Sequence, residues 1–95
     1  MEILIIHNKE RNRFEAEVNG EFAHLDYIFN DGLMNLFHTY VPPKDRHQGI
    51  AFELVKFALD YAKAGHMKII DGCPTVTIFI GEHPDYKMLL DKPGS

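Results

Sequence analysis

One cysteine is all that this chain of 95 residues contains, and a single cysteine excludes an internal disulfide. A lone thiol is typical of a reducing compartment, so we expect the protein to be cytoplasmic. Basic residues are also few: 10 lysines and arginines stand against 14 aspartates and glutamates, which gives a net charge of −4. Because nucleic-acid binding generally requires a basic surface, we expect no nucleic-acid partner.

Long apolar runs and metal-ligand spacing are missing as well. The N-terminal apolar run, Ile3 to Ile6, is far shorter than the roughly 20 residues of a membrane-spanning helix, so we expect no membrane partner. The six histidines have no ligand spacing on a predicted helix, and we predict no metal site. The length corresponds to a single domain, residues 1–95, with a modest core.

Turn signals organise the first half of the chain into an antiparallel sheet. Strands are predicted at Ile3–Ile6, Arg13–Val18, Phe22–Phe29 and Leu33–Val41. Asn19-Gly20 favours a type I′ hairpin turn, and residues 30–32 form a second tight turn. In the third strand, one face is expected to carry Ala23, Leu25, Tyr27 and Phe29. In the fourth strand, one side is expected to carry Leu33, Phe37 and Val41, and the other Met34, Leu36 and Tyr40.

Helical periodicity dominates the second half. A long helix is predicted over Gln48–Ala64, with Leu54 and Ala58 facing the sheet and Lys56 facing water. The strand Lys68–Ile70 follows, and a strand–helix–strand connection predicts a parallel crossover. A second helix is predicted from Pro74 to about Glu82 with Cys73 at its cap, because proline is favoured in the first turn. Asp85–Leu90 is expected to add a short helical turn.

The start of the long helix is a candidate phosphate site. Arg46-x-x-Gly49-x-Ala51 places a cation and two small residues where backbone N–H groups are unpaired and the helix dipole is positive. Two alternatives remain open from these residues alone. Arg46 is also compatible with a surface position before an ordinary helix, and Asp45 and Gln48 have the spacing of a capping box.

Further motifs along the chain strengthen the interpretation of this helix start as a phosphate site. They are His38-Thr39-x-Val41-Pro42, Ala58-Leu59-Asp60-Tyr61-Ala62, Cys73-Pro74-x-Val76 and His83-Pro84-Asp85-Tyr86. Together with Arg46-x-x-Gly49-x-Ala51, they resemble the small, single-domain YjdJ-like branch of the GNAT superfamily of N-acetyltransferases. The resemblance covers the chain from about Phe14 to Tyr86.

The resemblance implies an α/β (α+β) fold: a GNAT-like mixed, mostly antiparallel sheet with one long helix and a short second helix. It also implies transfer of an acetyl group from acetyl-CoA, as co-substrate, to an amine acceptor on a small molecule or a protein. The implied cofactor-binding residues are Thr39, Tyr40, Val41, Arg46, His47, Gln48, Gly49, Ile50 and Ala51. N–H groups around Gln48–Ala51 would hold the pyrophosphate, and the backbone of Thr39–Val41 would pair with the pantetheine arm like an extra strand.

Cys73 and His38 are the expected catalytic residues. Cys73 matches the cysteine of the family motif, and at a helix N-terminus we expect an accessible, reactive thiol that accepts the acetyl group in a two-step transfer. Direct attack by the amine is the usual route in the superfamily, and a lone cysteine is often a buried small hydrophobe. His38 matches a family position and would accept the proton of the ammonium. His83, before a proline, is more typical of a structural histidine.

Several positions depart from the family pattern. His47 stands where glycine is common, and it fits there only if its backbone angles are ordinary and its side chain points outward. Tyr40 replaces a frequent glutamate, and Thr75 and Phe79 replace a frequent aromatic residue and a tyrosine. Since Phe79 has no hydroxyl to protonate a departing thiolate, the alternative function is a non-catalytic CoA-binding or protein-interaction module of the same fold. A third hypothesis is a small α+β binding domain without CoA, in which Asp45 caps the helix.

Overall fold

The computed structural model describes residues 3–91, which form a five-stranded sheet, two α-helices and two 3₁₀ turns. The strands are β1 (Leu4–Asn8), β2 (Arg13–Val18), β3 (Glu21–Asn30), β4 (Leu33–Tyr40) and β5 (Lys68–Ile70). The helices are α1 (Ile50–Ala64) and α2 (Pro74–Glu82), and the 3₁₀ turns are Pro43–Asp45 and Pro84–Leu89. The 3₁₀ turn before α1 is the element that the sequence pattern did not predict.

The sheet is mixed and mostly antiparallel, which confirms the predicted fold class. Its strand order is β1-β2-β3-β4-β5, and only β4 and β5 are parallel. Asn19 and Gly20 connect β2 to β3 with φ of 53° and 82°, as a type I′ turn requires. The α1 crossover joins the two parallel strands, as predicted.

One stripe of α1 packs against the sheet and forms most of the core. Its buried residues are Ile50, Leu54, Val55, Ala58, Leu59 and Ala62. Leu54 and Ala58 are fully buried and Lys56 is exposed, so the predicted face of the helix is confirmed. α2 packs against α1 and buries Val76, Phe79 and Ile80. Of the helices within residues 3–91, none is long and apolar enough to span a membrane.

A β-bulge in β4 changes which side chains face the core. Tyr27 pairs with Leu36 and Asp26 pairs with His38, so Phe37 is an extra residue in β4. After the bulge, Thr39 pairs with buried Leu25, and Val41 packs against the core. The predicted alternation is therefore wrong beyond Leu36, because one additional residue reverses the order of the faces.

Because of the bulge, Tyr40 lies on the face of the sheet opposite to Met34 and Leu36. It pairs with His24, which alternates with the buried residues of β3. Phe29 also departs from the expected pattern: it is 46% exposed, whereas Ala23, Leu25 and Tyr27 are buried. Phe29 is next to the last residue of β3, close to the turn into β4, where the core no longer covers the strand.

Candidate functional site

At the position of the predicted phosphate site, α1 begins with a glycine at its N-cap. Gly49 is the N-cap residue, with φ 79°, and no side chain caps the helix. α1 therefore begins at Ile50 and not at Gln48, because the left-handed conformation of Gly49 interrupts the helix. The first N–H groups of the helix have no intrahelical partner and point away from its end. This geometry suits an anion.

A pocket of about 570 Å³ lies at this helix start. Its lining consists of Val41, Asp45, Arg46, His47, Gly49, Ile50, Ala51 and Phe52. Six of the nine predicted cofactor-binding residues are in this set; Thr39, Tyr40 and Gln48 are outside it. Asp45 and Phe52 were not predicted. Phe52 could have been predicted as a pocket residue, because the helical periodicity places it in the first turn of α1.

Arg46 is oriented by its own loop. Its Nε donates a hydrogen bond to the Val41 carbonyl at 3.0 Å, which leaves the two terminal nitrogens for other partners. Lys44, the other cation of this loop, forms an exposed ion pair with Glu21 at 3.1 Å between Nζ and Oε1. Among the described residues that line the pocket, Arg46 is therefore the cation with free donors, and it can bind a phosphate in a bidentate manner.

Asp45 supports the loop and does not cap α1. It is 2% exposed, and its Oδ1 accepts a hydrogen bond from Asn19 Nδ2 at 3.2 Å. Asp45 belongs to the 3₁₀ turn that ends before Gly49, so its side chain is not at the N-cap position. The alternative in which Asp45 caps the helix is therefore wrong. Instead, Asp45 links the β2–β3 hairpin turn to the loop that carries Arg46.

His47 has the backbone conformation of a glycine. Its φ of 68° is left-handed, so the condition of ordinary backbone angles is not met, whereas the side chain is exposed as the second condition requires. The chain must reverse between the 3₁₀ turn and α1, and this reversal requires positive φ at both His47 and Gly49. Histidine adopts this region more readily than most residues.

β4 has an unpaired edge next to the pocket. β5 pairs with β4 only over Leu33–Asn35, whereas β4 continues to Tyr40. No strand within residues 3–91 occupies the β5-facing edge of Leu36–Tyr40. The segment that carries Gly72 lies against Leu36 and Phe37, so the open part of this edge begins after the Phe37 bulge. Such an edge offers backbone N–H and C=O groups to an extended ligand.

Thr39 and Cys73 meet beside this edge. Cys73 is the N-cap residue of α2, and its Sγ lies 3.1 Å from Thr39 Oγ1. The thiol is 7% exposed, so the expectation of an accessible cysteine is wrong. Burial by itself would raise the pKa of the Cys73 thiol, but the hydrogen bond with Thr39 and the nearby groups of Thr75 and Val76 bring that pKa below its usual value.

His38 lies on the opposite face of β4, apart from Cys73. It is exposed and pairs across the strands with Asp26, whose Oδ1 is 2.9 Å from His24 Nδ1. The rings of His24 and His38 are 5.9 Å apart, and Tyr40 lies 5.4 Å from His24. Sequence reasoning missed His24 and Asp26. Their two-residue spacing in a strand, which places both side chains on one face, was the signal.

Phe79, the aromatic residue of α2, packs against the pocket residue Phe52. Phe79 is buried, with ring centroids 5.3 Å from Phe52 and 4.3 Å from His83. The Tyr86 hydroxyl donates a 2.7 Å hydrogen bond to Asp60, and this bond raises the pKa of Tyr86. That hydroxyl is therefore committed to α1. Among residues 3–91, no group of three or more His, Cys, Asp or Glu side chains could hold a metal ion.

Comparison with known proteins places this geometry in a family. The model of the GCN5-related N-acetyl-transferase family matches residues 13–89. Protein NATD1 of mouse is 32% identical over 85 residues, covering 86% of this chain and 77% of its own length. Human NATD1 is also 32% identical, with 75% of its length covered. A solution structure of a GCN5-like protein from Staphylococcus aureus superposes with a TM-score of 0.71. It is 23% identical and covers 92% of this chain and 86% of its own.

The chain belongs to the GCN5-related N-acetyl-transferase family. The family match extends over most of the chain and includes both the α1 start and the Cys73 segment. The structural neighbour supports the fold alone, because its sequence identity is low. The coarse resemblance inferred from the sequence motifs is thus confirmed.

Proposed function

We propose that this chain binds acetyl-CoA at the start of α1 and transfers its acetyl group to an amine. The observation that carries the proposal is the pocket at the uncapped helix start, with Gly49 at its N-cap and Arg46 beside it. A diphosphate would accept hydrogen bonds from the first N–H groups of α1 and from the Arg46 guanidinium. Thr39, Tyr40, Val41, His47, Gln48, Ile50 and Ala51 complete the proposed cofactor-binding set.

The pantetheine arm would extend along the open edge of β4. Backbone groups of Thr39–Val41 have no strand partner on the β5-facing side within residues 3–91, so an amide-containing arm can pair with them. In this pose the thioester lies near Cys73, and backbone N–H groups at the bulge can stabilise the developing oxyanion. His38 is the proposed proton acceptor. Because the helices cover one face of the sheet, in a direct transfer the amine would approach from the face that carries His38.

Two chemical routes fit this arrangement. In the direct route the amine attacks the thioester, whereas in the two-step route Cys73 first accepts the acetyl group. We further propose that the chain acts as a single cytoplasmic domain, residues 1–95, of the YjdJ-like type. The acceptor is an amine on a small molecule or a protein.

A non-catalytic acetyl-CoA-binding module is the second candidate function. Phe79 offers no hydroxyl, the Tyr86 hydroxyl is bonded to Asp60, and Tyr40 stands where a carboxylate base is frequent. These three positions remove groups that would assist proton transfer. They leave the proposed binding residues intact, so binding and turnover need separate measurements.

Calorimetric titration with acetyl-CoA tests the binding. We expect acetyl-CoA to bind and to raise the melting temperature, because a ligand that binds only the folded state stabilises it. S-acetylpantetheine, which lacks the diphosphate, should bind much more weakly. Arg46→Ala should weaken acetyl-CoA binding by roughly tenfold or more, as expected for loss of a charge-assisted hydrogen bond.

The matched control is Lys63→Ala, which removes an exposed cation from the far end of α1 and should leave the affinity unchanged. Equal weakening by the two substitutions would indicate general charge attraction and would contradict a site at Arg46. Transfer itself is tested by mass spectrometry of a panel of primary amines incubated with protein and acetyl-CoA. Binding without any acetylated amine would favour the non-catalytic module.

A further inference from the structure

The Cys73 sulfur has an unusual environment for a buried thiol. It is almost inaccessible, yet it touches a hydroxyl at 3.1 Å and lies at the N-terminus of α2. No hydrogen bond from the helix backbone to its side chain closes a cap. Within residues 3–91, Thr39 is therefore the side chain that bonds the sulfur with complete hydrogen-bond geometry.

The direction of this bond follows from the neighbouring groups. The amides of Thr75 and Val76 lie close to Sγ, and the positive end of the α2 dipole favours negative charge there. A sulfur in such a position is better suited to accept a hydrogen bond than to donate one. The Thr39 hydroxyl is free to rotate and can supply the proton.

Charged side chains on the adjoining segments do not replace Thr39. His38 projects from the opposite face of β4. The Asp71 carboxylate, ahead of α2, accepts a 2.8 Å hydrogen bond from Thr77 Oγ1. The side chain and backbone of Thr75 and the backbone of Val76 also lower the pKa of Cys73, and all of these belong to the first turn of α2. Thr39 is the contact that reaches the sulfur from the sheet.

We propose that Thr39 is a positioning residue for Cys73, donating its hydroxyl proton to Sγ and thereby favouring the thiolate beside the open edge of β4. This proposal deepens the proposed function. Its chemical step, the reaction of Cys73 with the thioester, rests on the proposed function, whereas the hydrogen bond between Thr39 and Cys73 does not. The Phe37 bulge makes the contact possible. Without the extra residue, Thr39 would lie on the face of the sheet away from the helices, where His38 lies in this structure. As a β-branched residue in a strand, Thr39 also has few alternative rotamers.

The corresponding chemical step is a thioester exchange. The Cys73 thiolate attacks the carbonyl carbon of acetyl-CoA and forms a new C–S bond. The C–S bond to CoA then breaks, its electron pair leaves on the CoA sulfur, and that sulfur takes up the proton that Cys73 released. An amine can then attack the acetylated Cys73, which restores the thiol. One thioester replaces another, so no oxidant or reductant is involved.

The test is an absorbance titration of the thiolate near 240 nm as a function of pH. Because the chain has one cysteine, subtracting the same titration of Cys73→Ser removes the tyrosine contribution and isolates this thiol. We expect the isosteric variant Thr39→Val to shift the midpoint to higher pH. Thr39→Ser, which keeps the hydroxyl, should retain the wild-type midpoint. Alkylation of Cys73 at neutral pH should be roughly tenfold slower in Thr39→Val, as for loss of one hydrogen bond to a charged group.

An unchanged midpoint in a folded Thr39→Val would overturn the proposal, and circular dichroism reports whether the variant is folded. If Thr39→Val does not fold, Thr39→Ala serves for the same comparison. A shift that is equal in Thr39→Val and Thr39→Ser would also overturn it, because the methyl packing and not the hydroxyl would then set the midpoint. Acetyl-CoA calorimetry on the same samples separates this result from the proposed function, since the thiol titration needs no ligand.

Discussion

Position 72 allows no side chain beyond a hydrogen atom. A Cβ on Gly72 would overlap Asn35 Oδ1 and would lie 3.3 Å from both the Leu36 carbonyl oxygen and Phe37 Cα. The segment between β5 and α2 therefore approaches the backbone of β4 at the bulge itself. Close approach, and not a left-handed φ, is the reason for glycine here.

Gly72→Ala should accordingly lower the free energy of unfolding by about 1–3 kcal/mol, the usual effect of overpacking. Gly81→Ala is the matched control, because a Cβ at Gly81 meets no atom within 4 Å and the residue lies in α2. That substitution should be neutral or stabilising by up to about 1 kcal/mol. Urea unfolding measures both. Similar losses in the two variants would show that the contact between Gly72 and β4 is not tight.

At the scale of elements, α1 is the support of the proposed site. Leu54 is fully buried in the stripe that faces the sheet, one turn from the pocket residue Ile50. Leu54→Ala should lower the free energy of unfolding by about 2–5 kcal/mol, because it leaves a cavity. Lys56→Ala removes only an exposed ion pair with Asp60 and should have a much smaller effect. Equal effects in urea unfolding would contradict the assigned face of α1.

Local sequence signals were sufficient to predict most elements. Asn19-Gly20 specified a hairpin, the apolar stripe specified α1, and Pro74 marked the start of α2. In each case the element is determined by residues that are close in sequence, so the sequence pattern is sufficient to predict it.

Features that depend on tertiary contacts could not be predicted in this way. The bulge at Phe37 has no glycine or proline to mark it, and it emerges only from the pairing of β4 with β3. The contact between Thr39 and Cys73 joins residues 34 positions apart. The spacing of Asp45 left a capping role open as an alternative, but its hydrogen-bond partner is Asn19 in a distant hairpin. The location of the pocket was predicted because a helix start is itself a local feature.

At the scale of the whole molecule, a half-buried histidine couples stability to pH. His7 stacks on Phe14 with ring centroids 4.4 Å apart, and its Nε2 lies 2.6 Å from the Tyr27 hydroxyl. Burial, followed by the charge of Lys9, lowers the pKa of His7 below its ordinary value of 6.5. The unfolded chain therefore binds this proton more readily than the folded chain.

The stability that depends on neutral His7 is complete above the ordinary value and is lost as the pH falls below it. Between about pH 7.5 and 5.5, we expect the free energy of unfolding to decrease in the wild type and to decrease less in His7→Phe. Urea unfolding at several pH values provides the comparison. His7→Phe also loses the bond to Tyr27, so the slope with pH, and not the absolute stability, is the relevant quantity. Identical slopes would exclude His7 as the responsible group.

The single extra residue in β4 also determines how this chain must be aligned with relatives. A homologous strand without the bulge would be one residue shorter between the partners of Tyr27 and Asp26. The alignment gap then belongs opposite Phe37. A gap placed two residues later would match His38 with a residue of the face that carries the Thr39 hydroxyl, and Thr39 would have no counterpart. In this strand, residue correspondence is defined by counting from the bulge rather than from either end.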